Sequence, residues 1–211
     1  MSTASLDRRS QRRQQTIDEI LDVSITLMET EGVAGLSLSA VARKLGMQPP
    51  SLYQYFPSKL AIYDALFQRG AEQVRDAQRA ARSGVPAEQQ LEFGIAAFGR
   101  WCMENQVLSQ LLFWRTVPGF EPSPEAFAPA LEGMADLKSY LQLAVDSGQL
   151  HQDAVSDDGM ALFTSMTAGL LSQQMANEPQ ATFDNGRFVK LLPVVLEMFF
   201  QRYKPIRGTT K

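Results

Sequence analysis

Catalysis needs reactive groups that can meet, and this sequence supplies few. It holds one histidine, His151, and one cysteine, Cys102. No plausible triad of nucleophile, base and orienter can be assembled around a single distant histidine. Nor do one histidine and one cysteine make a zinc cluster. The acidic pair Asp157–Asp158 before Gly159 lacks the spaced oxygens of a calcium loop and suits a helix cap. No glycine-rich phosphate loop follows a strand. The expectation is no catalytic residue, no metal ligand and no cofactor. The chemistry on offer is hydrogen bonding to nucleic acid. Residues 8–13 hold Arg8, Arg9, Arg12 and Arg13 with no acid among them, and the stretch GMQPPSLYQYFPSK follows at Gly46–Lys59. In that stretch Gln48 and Gln54 offer the paired donor and acceptor that an adenine edge accepts, and the carbons of Pro49, Pro50 and Ser51 suit a thymine methyl. Tyr53, Tyr55, Ser58 and Lys59 suit phosphates, as do Arg12, Arg13 and Ser37.

Those side chains need elements to hold them. Ile17, Ile20, Leu21, Ser24, Leu27 and Met28 form a stripe at three- and four-residue spacing, which predicts a helix from about Gln11 to Glu31 that Gly32 stops. Ser37 is placed to cap a short helix, LSAVARKL, ending at Gly46. Two adjacent prolines then make sense in the first turn of the next helix, where the missing N–H has no intrahelical partner anyway. That helix, PPSLYQYF, stops before Pro57, and Ser58 caps a long one from Lys59 to about Arg82. Leu52 and Phe56 should face inward with Val41, Ala42 and Leu45. Two short helices joined at Gly46 and braced by longer ones read as a helix-turn-helix.

At this point the residues resemble a known family. The segment Gln11–Leu66 is similar to the DNA-binding domain of the TetR family of bacterial transcriptional regulators. The likeness lies in the first helix ending METEGVAGLSLS, in AVARKLGMQPPSLYQYFPSK and in LAIYDALF. Ala42, Gly46, Leu52, Tyr53, Phe56, Lys59 and Leu66 fall at the family's positions. The resemblance implies a homodimer that binds a palindromic operator and a repression that a small molecule relieves. It also implies that Gln48, Pro49, Pro50, Ser51 and Gln54 face bases while Tyr53, Tyr55 and Lys59 touch phosphates. Many relatives carry a basic or glycine residue where this chain has Pro49 and Pro50, which argues against a guanine contact there.

Beyond Arg82 the chain reads as helical throughout, at about 87–104, 106–115, 124–147, 153–177 and 184–203. The fold class is therefore all-α: a three-helix helix-turn-helix domain and then a helical ligand-binding and dimerisation domain. The expected divisions are a flexible basic arm at 1–13, the DNA-binding domain at 14–60 and the regulatory domain at 61–211. Two late helices are apolar on several faces and need burial on more than one side. This matches the paired-helix dimer interface that the resemblance implies, with Phe163, Leu170, Leu171, Met175, Leu192, Val195, Leu196 and Phe199 as interface residues. A fully internal helix pair is the alternative. Large aromatics and methionines gather earlier and can line an apolar pocket or pack as core. The expected ligand set is Phe98, Trp101, Cys102, Gln106, Phe113, Trp114, Phe127, Met134, Tyr140, Met166 and Gln173, with an apolar or amphipathic effector.

Composition excludes other classes. With 45% hydrophobic and 20% charged residues the chain is neither disordered nor fibrous. One cysteine rules out an intramolecular disulfide framework and agrees with a reducing compartment. The arginine-rich N-terminus is no signal peptide, and no apolar run is long enough to span a bilayer; the expected address is the cytoplasm, with no membrane partner. Two readings stay beside repression: an activator of the same fold, and a helical protein-binding module.

Overall fold

The structure, a computed structural model, describes the backbone of residues 3–205 and the side chains of residues 8–205. The described residues form helices and contain no strand. The helices are α1 (Thr3–Glu31), α2 (Leu38–Lys44), α3 (Pro49–Leu52), α4 (Lys59–Arg82), α5 (Gln90–Glu104), α6 (Gln106–Phe113), α7 (Pro124–Asp146), α8 (Asp157–Asn177) and α9 (Leu192–Arg202). The arginines of the segment expected as a flexible arm lie on α1, which begins well before the Gln11 expected for it. Arginine and glutamine are good helix formers, and a helix already nucleated by its apolar stripe extends through them at little cost.

Compactness divides the chain into two units, residues 1–70 with 107–127, and residues 71–106 with 128–211. In the first unit α1 packs on α2, and α2 packs on α3. Gly46 turns the chain between them at φ 65°. Its N–H donates to the Arg43 carbonyl at 3.2 Å while the Met47 N–H donates to the Ala42 carbonyl at 2.9 Å. These two bonds make a Schellman ending, which glycine adopts without strain. Ala42, Val41, Leu52 and Phe56 are buried as expected, and Leu45 is half-buried. Ser58 caps α4 by accepting from the Ala61 N–H at 3.1 Å. Ser37 holds the cap position of α2, but its hydroxyl makes no cap bond and pairs instead with that of Ser39 at 2.9 Å.

The first half of α4 is fastened to its surroundings at several points. Tyr63 is fully buried and donates to the Val33 carbonyl at 2.6 Å. Arg69 reaches Asp22 of α1 at 2.6 Å. Asp64 accepts from the Ser123 N–H and hydroxyl at 2.7 and 2.8 Å, holding the loop ahead of α7. Phe120 of that loop lies 5.7 Å from the Tyr63 ring.

The second unit buries Leu91, Ile95, Leu141, Leu150, Phe163, Leu192 and Phe199 together. Phe199 meets Phe163 edge-on at 5.0 Å and lies 4.8 Å from Tyr203. Ser156 caps α8 by accepting from the Gly159 N–H at 3.1 Å, with Asp157 and Asp158 in the first turn where the helix dipole favours them. The helix expected from 184 is shorter: α9 starts at Leu192 after turns and one 3₁₀ turn. Pro193 is the reason, because its ring and missing N–H are tolerated in a first turn and not in a helix interior. Arg75 and Arg79 of α4 donate to Asp136 of α7 at 2.7 and 3.3 Å, and Arg75 also pairs with Glu132. Burial pushes the Asp136 carboxyl up, but the hydrogen bonds and charges of the two arginines outweigh it and hold it below the ordinary range. Arg82 is buried with its guanidinium 3.8 Å from the Tyr140 ring centre, and its Nε donates to the Gln90 carbonyl at 3.0 Å.

Candidate nucleic-acid interface

The expected reading helix is a single turn of helix followed by a turn. Helical geometry covers Pro49–Leu52, and Tyr53–Tyr55 follow as a turn. Gln48 caps it in extended backbone, with the two prolines in the first helical positions. Leu52, 1% exposed, and Phe56, 6% exposed, anchor the segment inward. Their burial leaves Gln48, Pro49, Pro50 and Gln54 exposed and Ser51 half-buried. Tyr53 is 52% exposed, so it is a surface side chain and not part of the core. A segment with two apolar anchors and a short polar crest can enter a major groove without disturbing its own packing.

The cations around it are not all alike. Arg8, Arg9, Arg12 and Arg13 are exposed on α1, and Arg43 and Lys44 are exposed in the last turn of α2. The α2 pair was not among the expected site residues; a basic last turn was its sequence signal. Arg13 reaches across 41 positions to donate from Nη2 to the Gln54 carbonyl at 3.3 Å, with its guanidinium 5.0 Å from the centre of the Tyr55 ring. Lys59 is half-buried; its Nζ donates to the Ala34 carbonyl at 3.5 Å and lies 5.8 Å from the Tyr63 ring centre. Tyr55 is half-buried, and Ser37 and Ser58 are exposed. Nothing in the sequence pattern marked Tyr63 or Asp64, which pin the segment's supports, because their partners are distant in the chain.

In the second unit the expected effector residues divide. Trp101 and Cys102 are buried, Phe98, Tyr140 and Met166 are half-buried, and Met134 and Gln173 are exposed. The Gln106 amide is committed to the Pro179 carbonyl at 2.6 Å. Phe113, Trp114 and Phe127 belong to the first unit. A cavity beside Phe98, Gly99, Thr167 and Phe183 measures about 10 Å³, room for about one water. The expected dimer residues divide too. Phe163, Leu171, Leu192 and Phe199 are buried within the chain's own fold. Leu170, Met175, Val195 and Leu196 are half-buried. Outward stand Leu162 on α8, Val194 at 49% exposure and Met198 at 59% on α9, and Leu191 on the turn just ahead of α9. Helices apolar on several sides hide from sequence periodicity which of those sides turns outward, and packing separates them.

His151 is half-buried and its Nδ1 accepts from the Asp153 N–H at 3.3 Å, capping a 3₁₀ turn. Among the described residues no group of three His, Cys, Asp or Glu side chains gathers as a metal would require. Among the same residues no helix is long and apolar enough to cross a membrane.

These elements define an all-helical protein with an N-terminal helix-turn-helix and an appended helical unit. Residues 20–66 match the family model for bacterial regulatory proteins of the tetR family. By that segment the chain resembles the TetR family. It is similar to the HTH-type transcriptional regulator Rv1816 of Mycobacterium tuberculosis (strain ATCC 25618 / H37Rv), 29% identical over 60% of this chain and 55% of the relative. It is also similar to the HTH-type transcriptional repressor KstR of Mycolicibacterium smegmatis, 28% identical over 53% of this chain and 54% of the relative. The chain thus spans about half the length of these curated relatives. Among solved structures, the TetR family transcriptional regulator PfmR from Thermus thermophilus superposes with a TM-score of 0.67 at 18% identity, over 86% of this chain and 97% of that one. That likeness concerns the fold.

Proposed function

We propose that this protein is a ligand-responsive transcriptional regulator that binds a palindromic duplex as a homodimer and represses until a small apolar or amphipathic effector releases it. The observation that carries the reading is the exposed crest Gln48–Gln54, set on Leu52 and Phe56 inside a TetR-family domain. Base reading falls to Gln48, Pro49, Pro50, Ser51 and Gln54, and phosphate contact to Arg12, Tyr53, Tyr55 and Ser58. Lys59 adds a charge at the flank.

Dimerisation is assigned to the outward face of α8 and α9, with Leu162, Leu191, Val194 and Met198 at its centre. Gly169 supports this reading. A methyl group added there would meet nothing within 4 Å in its own chain, so the close approach that glycine allows is left for a partner. Two such faces paired about a two-fold would present two crests. For an operator dimer their separation should be about one turn of duplex, roughly 34–36 Å, or a multiple.

Release is assigned to α4, which is fastened in the first unit by Arg69 and Asp64 and in the second by Arg75 and Arg79. An effector that binds a DNA-incompetent setting of this helix more tightly would shift the population off the operator. Its class follows from the aromatic and methionine content around Phe98, Trp101 and Met166.

The test is a salt series of binding to random and to enriched palindromic duplexes, with sedimentation of the free protein. Binding that weakens steeply with salt, by a dimer, is expected. A protein that stays monomeric, or that ignores duplex DNA at low salt, overturns the reading.

A further inference from the structure

We propose that Arg13 is a positioning residue for sequence reading and not a phosphate contact: it holds the turn that carries Gln54. The inference rests on the DNA-binding reading and deepens it.

The crest is weakly built. Four helical residues are far too few to be stable alone. Past Leu52 the backbone is kept by the Tyr53 N–H on the Pro49 carbonyl at 3.3 Å, the Gln54 N–H on the Ser51 carbonyl at 3.3 Å, and the Tyr55 and Phe56 N–H groups on the Leu52 carbonyl at 2.9 and 3.0 Å, none of which uses the Gln54 carbonyl. Carbonyls at such an end have no following turn to bond. The Gln54 carbonyl finds its donor in Arg13, from another helix, at 3.3 Å. The same guanidinium lies 5.0 Å from the centre of the Tyr55 ring. One side chain therefore grips two successive residues of the turn in two different ways, through a carbonyl and through an aromatic face. A basic side chain that bonds the last carbonyls of a helix is a known terminating device, here supplied from a distance.

The geometry of α1 makes the grip possible. Because the helix starts at Thr3, Arg13 stands well inside it, on backbone that the first turn's fraying does not reach. Arg12 lies one residue away and about 100° round the helix, so it points elsewhere. A guanidinium committed to Gln54 and Tyr55 is also poorly free to follow a phosphate. Lysine would replace it only in part, since a point charge offers neither the planar fork nor the stacking surface that holds both contacts at once.

Three variants separate a brace from a phosphate contact: Arg13→Ala, Arg13→Lys and Arg12→Ala. Each is measured beside the wild type on a duplex enriched by the wild type from a random pool and on a scrambled duplex, across a salt series. Both Arg13 variants should lower the preference for the enriched duplex about tenfold, the scale of a charged hydrogen bond with a cation–π contact. Their salt slopes should equal the wild type's. Arg12→Ala should keep the preference and flatten the slope by about 0.9 for each phosphate lost. An Arg13→Ala protein that flattens the slope and keeps the preference overturns the proposal, and so does Arg13→Lys with wild-type preference. Hydrogen exchange tests the brace without DNA: the amides of residues 54–56 should exchange about tenfold faster in Arg13→Ala, and unchanged exchange overturns it. A wild type that binds no duplex at low salt overturns the reading beneath, whereas failures confined to the Arg13 variants overturn the brace alone.

Discussion

Gln174 is fully buried on α8, and replacing it by leucine should destabilise the second unit far more than its size suggests. Its Oε1 accepts from the N–H groups of Phe188 and Val189 at 2.9 and 3.3 Å. Its Nε2 donates to the carbonyl and carboxylate of Glu178 at 3.1 and 3.4 Å. Four bonds from one amide thus tie the end of α8 to the chain that leads into α9. Leucine keeps apolar bulk but turns a methyl toward two backbone donors, the Val189 one buried and the Phe188 one partly so. An orphaned buried donor costs about 1–3 kcal/mol, so about 2–4 kcal/mol is expected for the pair. In a chain of this size that is a fall of about 5–15 °C in midpoint. Trp101, buried in the second unit, reports its unfolding once Trp114→Phe silences the other indole. The melts should be run at one protein concentration, because a dimer adds a concentration term. Loss of less than about 1 kcal/mol would refute the reasoning, since the donors would then have other partners. Gln174→Glu is the companion. It keeps the acceptor but sets a carboxylate against Glu178, so its defect should shrink as acid protonates the pair.

Three further outcomes follow from the same structure. Met198→Glu places a carboxylate on the proposed dimer face and should raise the dissociation constant at least about 100-fold by sedimentation, since a buried unpaired charge costs several kcal/mol; an intact dimer would move the interface elsewhere. Asp136→Asn removes a carboxyl whose folded pKa lies below its ordinary 3.8. The stability it adds is present above that ordinary value and lost as pH falls through the depressed one, so wild type and variant should differ at pH 6 and draw together as the pH is taken down through and below the ordinary value in urea melts. Gln54→Ala should change the preference among duplexes while leaving the salt slope intact; equal weakening on every duplex would remove it from the base-reading set.

How much of this was legible beforehand depends on whether the cause was local. Gly46, the proline pair and Ser58 announced the turn, the helix start and the cap, because each acts on backbone within a few residues. Leu52 and Phe56 were readable as anchors for a similar reason: four-residue spacing sets which face is buried once one neighbour is known. The end of PPSLYQYF was less legible. Its helical run stops at Leu52, since so short a helix draws little from its own propensity.

Causes that cross the chain were closed to sequence reasoning. Arg13 looked like one of four equivalent arginines, and only folding brought it to Gln54 and Tyr55. Pro193 was visible, and its place in a first turn is a local effect, yet the apolar run around it read as one longer helix from 184. On α8 and α9 apolar residues occupy several sides, so their spacing alone does not say which of those sides turns inward. Composition and local pattern thus determined the helical class, the turn chemistry and the crest. Tertiary packing alone decided that Phe163, Leu171, Leu192 and Phe199 go inward and Leu162, Leu191, Val194 and Met198 outward, because burial depends on neighbours that a sequence does not name.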